Sequence, residues 1–210
     1  YVADGLFTTA DEVANSAEQQ GKGLGRISYA DINGDGGIDS RDQTWMFNPN
    51  PDFTYGFNFY FAYKGFDLTM FFQGVGNVEI NVYGVKSMTD FWSINETGSN
   101  KGTRLLEAWS TTNTGSSIPA LTSTDRNNET RFSTYFIENG AYMKMRNLQV
   151  GYTLPKKISE KFYVGNLNIY ISGQNLFTIK SKSFTGVDPE TPAFGYPIPT
   201  MVTTGIKITF

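Results

Sequence analysis

From Phe53 to Gln73 the chain alternates between two kinds of residue in a way that only a β-strand pair satisfies. Phe53, Tyr55, Phe57, Phe59, Phe61 and Tyr63 are separated by Thr54, Gly56, Asn58, Tyr60 and Ala62. That is a period of two, the repeat of a pleated strand. After Lys64-Gly65 the alternation resumes, with Phe66, Leu68, Met70 and Phe72 on one side and Asp67, Thr69, Phe71 and Gln73 on the other. A two-residue loop sets Tyr63 opposite Phe66, Phe61 opposite Leu68, Phe59 opposite Met70 and Phe57 opposite Phe72. A slip of one residue would send half of this apolar row to the other face, so the register is strongly specified.

Three further strands are legible. Met143 to Leu154 ends in the alternating set Leu148, Val150, Tyr152 and Leu154, and Pro155, which has no ladder donor, stops it. Leu167, Ile169 and Ile171 alternate with Asn168, Tyr170, Ser172 and Gln174 in a strand expected to end near Phe177. The last strand carries Val202, Ile206, Ile208 and Phe210 on one face and Thr203, Lys207 and Thr209 on the other, with Thr204 among the apolar set. The connections run short, long, short, long: Lys64-Gly65, then about Val75–Tyr142, Pro155–Gly165, and about Thr178–Thr200. Up-and-down strands bring all short turns to one rim and all long loops to the other, the asymmetry of outer-membrane β-barrels. The strands are also long enough for the roughly 9–11 residues that cross a bilayer at a tilt. An open edge in lipid leaves unpaired backbone groups, so five strands imply further strands supplied by additional sequence. A chain that begins on Tyr1 rather than Met agrees with that expectation.

Composition removes several alternatives. The chain has 210 residues with 17 Lys plus Arg against 20 Asp plus Glu, a net charge of -3 that gives no basic footprint for nucleic acid. It contains neither Cys nor His, which excludes disulfide frameworks, Cys/His zinc sites and His-dependent nucleophilic triads. No Gly-rich phosphate loop leads a strand into a helix, and no Glu stands out as a glycosidase acid, so no enzyme activity is expected.

Residues 1–52 show little alternation. Thr9-Ala10-Asp11-Glu12 has capping-box spacing and predicts a short helix over about Ala10–Gln20. The local motif with chemistry is Asp31-Ile32-Asn33-Gly34-Asp35-Gly36-Gly37-Ile38-Asp39-Ser40-Arg41-Asp42. It fits the twelve-position calcium loop of EF-hand type. Asp31, Asn33, Asp35, Asp39 and Asp42 supply side-chain oxygens, Gly37 a carbonyl, Gly36 the sharp turn, and Ile38 an apolar anchor. Asp42 replaces the long bidentate Glu of the last position, as in dockerin-like loops, and Ile27–Ala30 reads as extended chain rather than an incoming helix. The expectation is a structural Ca2+ site, set against an Asx-turn loop whose carboxylates face water. In the long connection, Leu105, Leu106, Ala108 and Trp109 suggest a helical turn within the Ser/Thr/Asn/Gly-rich stretch Ile94–Thr130. Trp92, Trp109 and Tyr83 are candidates for stacking on sugars or for packing the loop.

Taken with its flanks, the chain resembles the C-terminal region of SusC/RagA-type TonB-dependent outer-membrane transporters. The resemblance rests on the acidic loop, Asn48-Pro49-Asn50-Pro51-Asp52-Phe53-Thr54-Tyr55-Gly56-Phe57, Tyr63-Lys64-Gly65-Phe66-Asp67-Leu68 and Phe71-Phe72-Gln73-Gly74. Arg146-Asn147-Leu148, Gly151-Tyr152-Thr153-Leu154-Pro155, Ser172-Gly173-Gln174-Asn175-Leu176-Phe177 and Asp188-Pro189-Glu190 extend it. It implies an all-β fold: the last five antiparallel strands of a transmembrane barrel, 22-stranded in the family, with long extracellular loops. Residues 1–52 would be an extracellular loop region carrying the acidic loop, and 53–210 the C-terminal barrel strands and loops. Lys64-Gly65, Pro155–Gly165 and Phe210 would lie at the periplasmic rim, and 75–142 and 178–200 outside. The implied function is import of oligosaccharides or peptides across the bacterial outer membrane with a SusD-like lipoprotein as lid. The TonB complex would pull through a plug that belongs to the missing N-terminal part. The competing expectation is a soluble, β-rich calcium-loop module that binds carbohydrate.

Overall fold

Lys64 and Gly65 adopt φ of 48° and 89°. Two successive left-handed residues make the tight turn whose twist matches the strands it joins, and glycine takes the second place without a Cβ penalty. The computed structural model containing this hairpin describes residues 1–92, 100–193 and 195–210. In chain order its strands are β1 (Ala3–Leu6), β2 (Ile27–Tyr29), β3 (Phe53–Tyr63), β4 (Phe66–Gly76), β5 (Glu79–Asn81), β6 (Ile137–Asn139), β7 (Tyr142–Thr153), β8 (Asn166–Gln174), β9 (Thr178–Lys180) and β10 (Met201–Thr209). Short helices α1 (Ala10–Asn15), α2 (Tyr83–Thr89) and α3 (Lys156–Ser159) lie between them.

The chain divides into two compact units. One comprises 50–79, 139–191 and 195–210. Its sheet has the order β10-β8-β7-β4-β3, every neighbour antiparallel, so the five long strands form an up-and-down meander as expected. The pairs Tyr63–Phe66, Phe61–Leu68, Phe59–Met70 and Phe57–Phe72 occur as read from the alternation. Two details differ. In β7 the ladder to β4 steps from Asn147 opposite Phe71 to Met145 opposite Phe72, leaving Arg146 as the extra residue of a bulge. And β8 ends at Gln174 rather than near Phe177, because Asn175 turns to φ 51° and breaks the ladder. The chain then resumes as β9, paired with Tyr142–Lys144 of β7.

The other unit comprises 1–49, 80–138 and 192–194. Residues 80–138, grouped by the sequence reading with the barrel strands, therefore pack with the N-terminal segment. The reason is the core they supply: Phe91 and Phe136 close around Ile27 and Tyr29, with Leu6, Ile38 and Tyr83 packed against them. Ala3 and Leu6 pair with Tyr29 and Ile27. Elsewhere side chains satisfy the irregular backbone, as buried peptide groups require. Gln19 Nε2 donates to the Ile27 carbonyl (2.8 Å), and its Oε1 accepts from Tyr29 N (3.1 Å). The buried Glu129 carboxylate accepts from Arg26 (2.7 Å) and from Ile27 N (3.1 Å).

Helix α1 has the expected capping box, with Thr9 Oγ1 accepting from Glu12 N and Glu12 accepting from Thr9 N. It stops at Asn15, short of Gln20, since Ser16 is extended and Gln19 is committed to β2. The Leu105 cluster does form a turn, a 3₁₀ segment over Thr103–Glu107. Of the Ile94–Thr130 stretch, 94–99 lie outside the described residues.

Candidate functional site

The ladder registers assign each residue of the five-stranded sheet to one of two faces. One row across it reads Phe61, Leu68, Val150, Ile171 and Thr204, and the next Tyr63, Phe66, Tyr152, Ile169 and Ile206. On the opposite face the rows read Tyr60, Thr69, Gln149, Ser172, Thr203 and Ala62, Asp67, Gly151, Tyr170, Gly205. The second face is held by polar contacts, such as Asn168 donating to Asp67 (3.1 Å) and Thr153 (2.9 Å). A soluble sheet hides its apolar face against a second layer. Here no described residues stack over it: Phe57 is 51% exposed, Phe61 57% and Ile206 63%. An apolar patch of this breadth marks a surface built for contact with something other than water. Aromatic rings run along the apolar face, Phe66 on Tyr152 (4.5 Å between centroids) at the turn, Phe59 on Phe72 (6.1 Å) at mid-strand and Phe53, Tyr55 and Phe57 in succession at the other end. The rings at the two ends stand where the aromatic girdles of a membrane barrel flank its lipid band.

The polar face carries a charge cluster where β7 meets the β9–β10 loop. Lys144, 1% exposed, donates to both carboxylate oxygens of Asp188 (2.8 and 2.7 Å) and to Glu190. Arg146 bonds Glu190 and Gln73 Oε1 (3.0 Å), and the Tyr142 hydroxyl donates to Glu190 (2.6 Å). Burial alone would raise the Glu190 carboxyl, but the hydrogen bonds from Arg146, Lys144 and Tyr142 outweigh it and hold it down at about 2. The arrangement is a clamp that fastens the Asp188–Thr191 turn to the sheet. Sequence reading registered Arg146 and the Asp188-Pro189-Glu190 triplet only as motifs and missed Lys144. The available signal was a cationic pair two residues apart just before an alternating strand.

The six residues expected to hold calcium lie in one loop, with Gly34 and Gly36 at φ of 74° and 85°. Asp31 accepts from Gly34 N (2.8 Å) and Gly36 N (2.7 Å). Asp42 is buried and accepts from Asp39 N (2.8 Å) and Ile32 N (2.9 Å); the Asp39 bond and its companions hold its carboxyl below the usual range. Arg41 lies between Asp39 (2.6 Å) and Asp35 (2.7 Å), and its hydrogen bonds lower the Asp39 carboxyl likewise. Among the described residues no three acidic groups converge on one point. Gly37 bonds Asp35 through its N–H (3.1 Å). The apolar position behaves as read: Ile38 packs on the core, and its N–H reaches the Glu18 carbonyl (2.8 Å). A 3₁₀ turn over Ser40–Asp42 follows, and extended chain precedes. Of the aromatic candidates, Trp109 is buried and Tyr83 packs on Phe136 (4.8 Å), so both serve packing, while Trp92 is partly exposed beside Leu121.

No family model matches the chain. The TonB-dependent receptor P3 of Formosa agariphila is 33% identical over 162 residues, 77% of this chain and 15% of the relative. The TonB-dependent receptor SusC of Bacteroides thetaiotaomicron is 29% identical over 174 residues, 82% of this chain and 16% of SusC. The chain belongs to the SusC/RagA-type TonB-dependent transporters. The RagAB peptide transporter shares the fold of this segment, with a TM-score of 0.69 and 20% identity, covering 100% of this chain and 22% of that one. The chain thus spans 15–22% of the length of the curated TonB-dependent receptors it matches. The family resides in the outer membrane, which supplies the solvent that the apolar face lacks within the chain.

Proposed function

We propose that this chain forms the C-terminal arc of the barrel of an outer-membrane importer that takes up oligosaccharides or peptides with a SusD-like lipoprotein and draws on TonB. The observation that carries the reading is the five-strand meander with one predominantly apolar face, uncovered among the described residues, and one polar face. In a barrel the first meets hydrocarbon and the second lines the interior. Transport rather than catalysis is the role: the relatives are receptors, and the clustered charges of the polar face, Lys144, Arg146, Asp188 and Glu190, are paired with each other. In this frame residues 1–52 are an extracellular loop region, and 53–210 the barrel strands with their loops. A soluble carbohydrate module would have to cover Phe57, Phe61 and Ile206, and all three are exposed among the described residues.

Sidedness tests the reading directly. The segment has no cysteine of its own, so in a transporter whose remaining cysteines are replaced by serine each reporter is single. A membrane-impermeant maleimide should label Lys182→Cys on intact cells and Lys157→Cys only once the outer membrane is opened. Labelling of both on intact cells would reject the barrel orientation.

For the acidic loop the companion proposal is structural calcium held by Asp31, Asn33, Asp35, the Gly37 carbonyl, Asp39 and Asp42. The twelve-residue spacing and the positive φ of Gly36 support it. The cation would have to displace Arg41 from Asp35 and Asp39. Calorimetric titration of the purified transporter should therefore give calcium heat that Asp31→Ala/Asp35→Ala abolishes, with Arg41→Gln binding more tightly than wild type. Equal heat from wild type and the double variant would remove the metal.

A further inference from the structure

Both short connections lie at the same end of the sheet. Thr153 N donates to the Gly65 carbonyl (2.7 Å), and Leu154 N donates to the Leu167 carbonyl (2.8 Å), so Lys64-Gly65 and Pro155–Gly165 share a rim. Four exposed lysines gather there: Lys64, Lys156, Lys157 and Lys161. Lys64 lies over the Tyr63 ring at 5.1 Å, and among the described residues none of the four pairs with a carboxylate. Three acidic groups lie near them: Glu160 in the same connection, the Phe210 terminal carboxylate beside Gly165, and Asp67 on the polar face, bonded to Asn168. Lys157 and Lys161 stand four residues apart on successive helical turns, a spacing at which like charges repel unless a counter-charge joins them.

The same connection turns apolar groups outward. Ile158 and Phe162 are also four residues apart and exposed, Phe162 by 64%. Tyr163 follows at φ 58°, ψ 31°, a left-handed conformation costly for a residue with a side chain, yet its ring is 94% exposed and packs on nothing described. The conformation closes the 3₁₀ turn, with Tyr163 N donating to the Glu160 carbonyl (3.1 Å), and it leaves the ring outside at the rim beside the lysines.

We propose that this rim connection is a docking surface for anionic phospholipid. Lys156, Lys157 and Lys161, with Lys64 beside them, engage the headgroup phosphates, while Ile158, Phe162 and Tyr163 enter the boundary between headgroups and acyl chains. Charge complementarity selects an anionic headgroup. Continuity with the apolar sheet face, through Tyr63, Phe66 and Tyr152, selects a lipid over a free anion. The inference rests on the membrane reading of the sheet.

The test uses the complete transporter in nanodiscs of phosphatidylcholine, with and without cardiolipin, read by native mass spectrometry and by titration with fluorescent cardiolipin. Wild type should retain cardiolipin in preference to phosphatidylcholine. The variant Lys156→Gln/Lys157→Gln/Lys161→Gln should bind it at least about tenfold more weakly, since each interfacial lysine contributes a severalfold factor. Tyr163→Gly, which relieves the backbone, should fold undiminished and still retain less lipid. Equal retention by wild type and the triple variant, or displacement of cardiolipin by inorganic phosphate at matched phosphate concentration, would overturn the proposal. Insertion into phosphatidylcholine without any cardiolipin preference overturns this inference alone. Failure to insert into either nanodisc overturns the membrane reading with it.

Discussion

Leu148→Arg should lower the stability of the membrane-embedded transporter by about 2–4 kcal/mol, the cost of a cation on the lipid face near the bilayer midplane. Gln149→Arg, one residue along, should change it by no more than about 0.5 kcal/mol, as surface substitutions usually do. Leu148 lies between Met70 and Gly173 in the apolar row, and Gln149 lies between Thr69 and Ser172 in the polar one. The strand, its propensity and the added charge are the same in both variants. Only the face differs, so the contrast isolates the solvent that each face meets. Urea titration in lipid vesicles, followed by tryptophan emission, measures it. Equal losses would mean that the two faces do not meet different solvents.

Lys144→Met should release the Asp188–Thr191 turn from the sheet. The substitution leaves Asp188, buried with Lys144, without its cation, and breaking a buried ion pair from one side typically costs about 3–5 kcal/mol. Glu190 keeps Arg146, so the loss centres on Asp188. Amide exchange at Asp188–Thr191 should rise sharply in Lys144→Met and return towards wild type in Lys144→Met/Asp188→Leu, where no charge is stranded. The clamp also has a defined acid limit. The Glu190 carboxyl lies below its ordinary 4.5, at about 2. Its stabilising contribution is therefore complete above pH 4.5 and disappears as pH falls through about 2. Exchange unchanged in Lys144→Met would show that the clamp does not hold the turn.

The strands were legible because a half-exposed sheet writes its period directly into the chain. Phe53 to Phe72 could be paired residue by residue, since any other register scatters the aromatic row. The capping box at Thr9 and Glu12 and the apolar anchor at Ile38 were local enough to read as well. The extent of α1 was not, because Gln19 answers to Ile27 and Tyr29 rather than to its own helix. Nor was the grouping of 80–138 with the N-terminal segment. It depends on Phe91 and Phe136 meeting Ile27 and Tyr29, and no local pattern encodes contacts so far apart in the chain.

Lys144 shows where reading by period ends. By the parity of Leu148, Val150 and Tyr152 it belongs on the apolar face, where a buried ammonium would be untenable. The bulge at Arg146 adds one residue, reverses the parity of everything before it, and delivers Lys144 to the polar face beside Asp188. The amino-acid order alone determined that there are five long strands, which neighbours pair, and that one face is apolar, since these follow from alternation and turn chemistry. Only the tertiary structure decided that none of the described residues covers that face, where the parity reverses, and which carboxylates meet which cations. Each of those depends on segments distant in sequence finding one another in space.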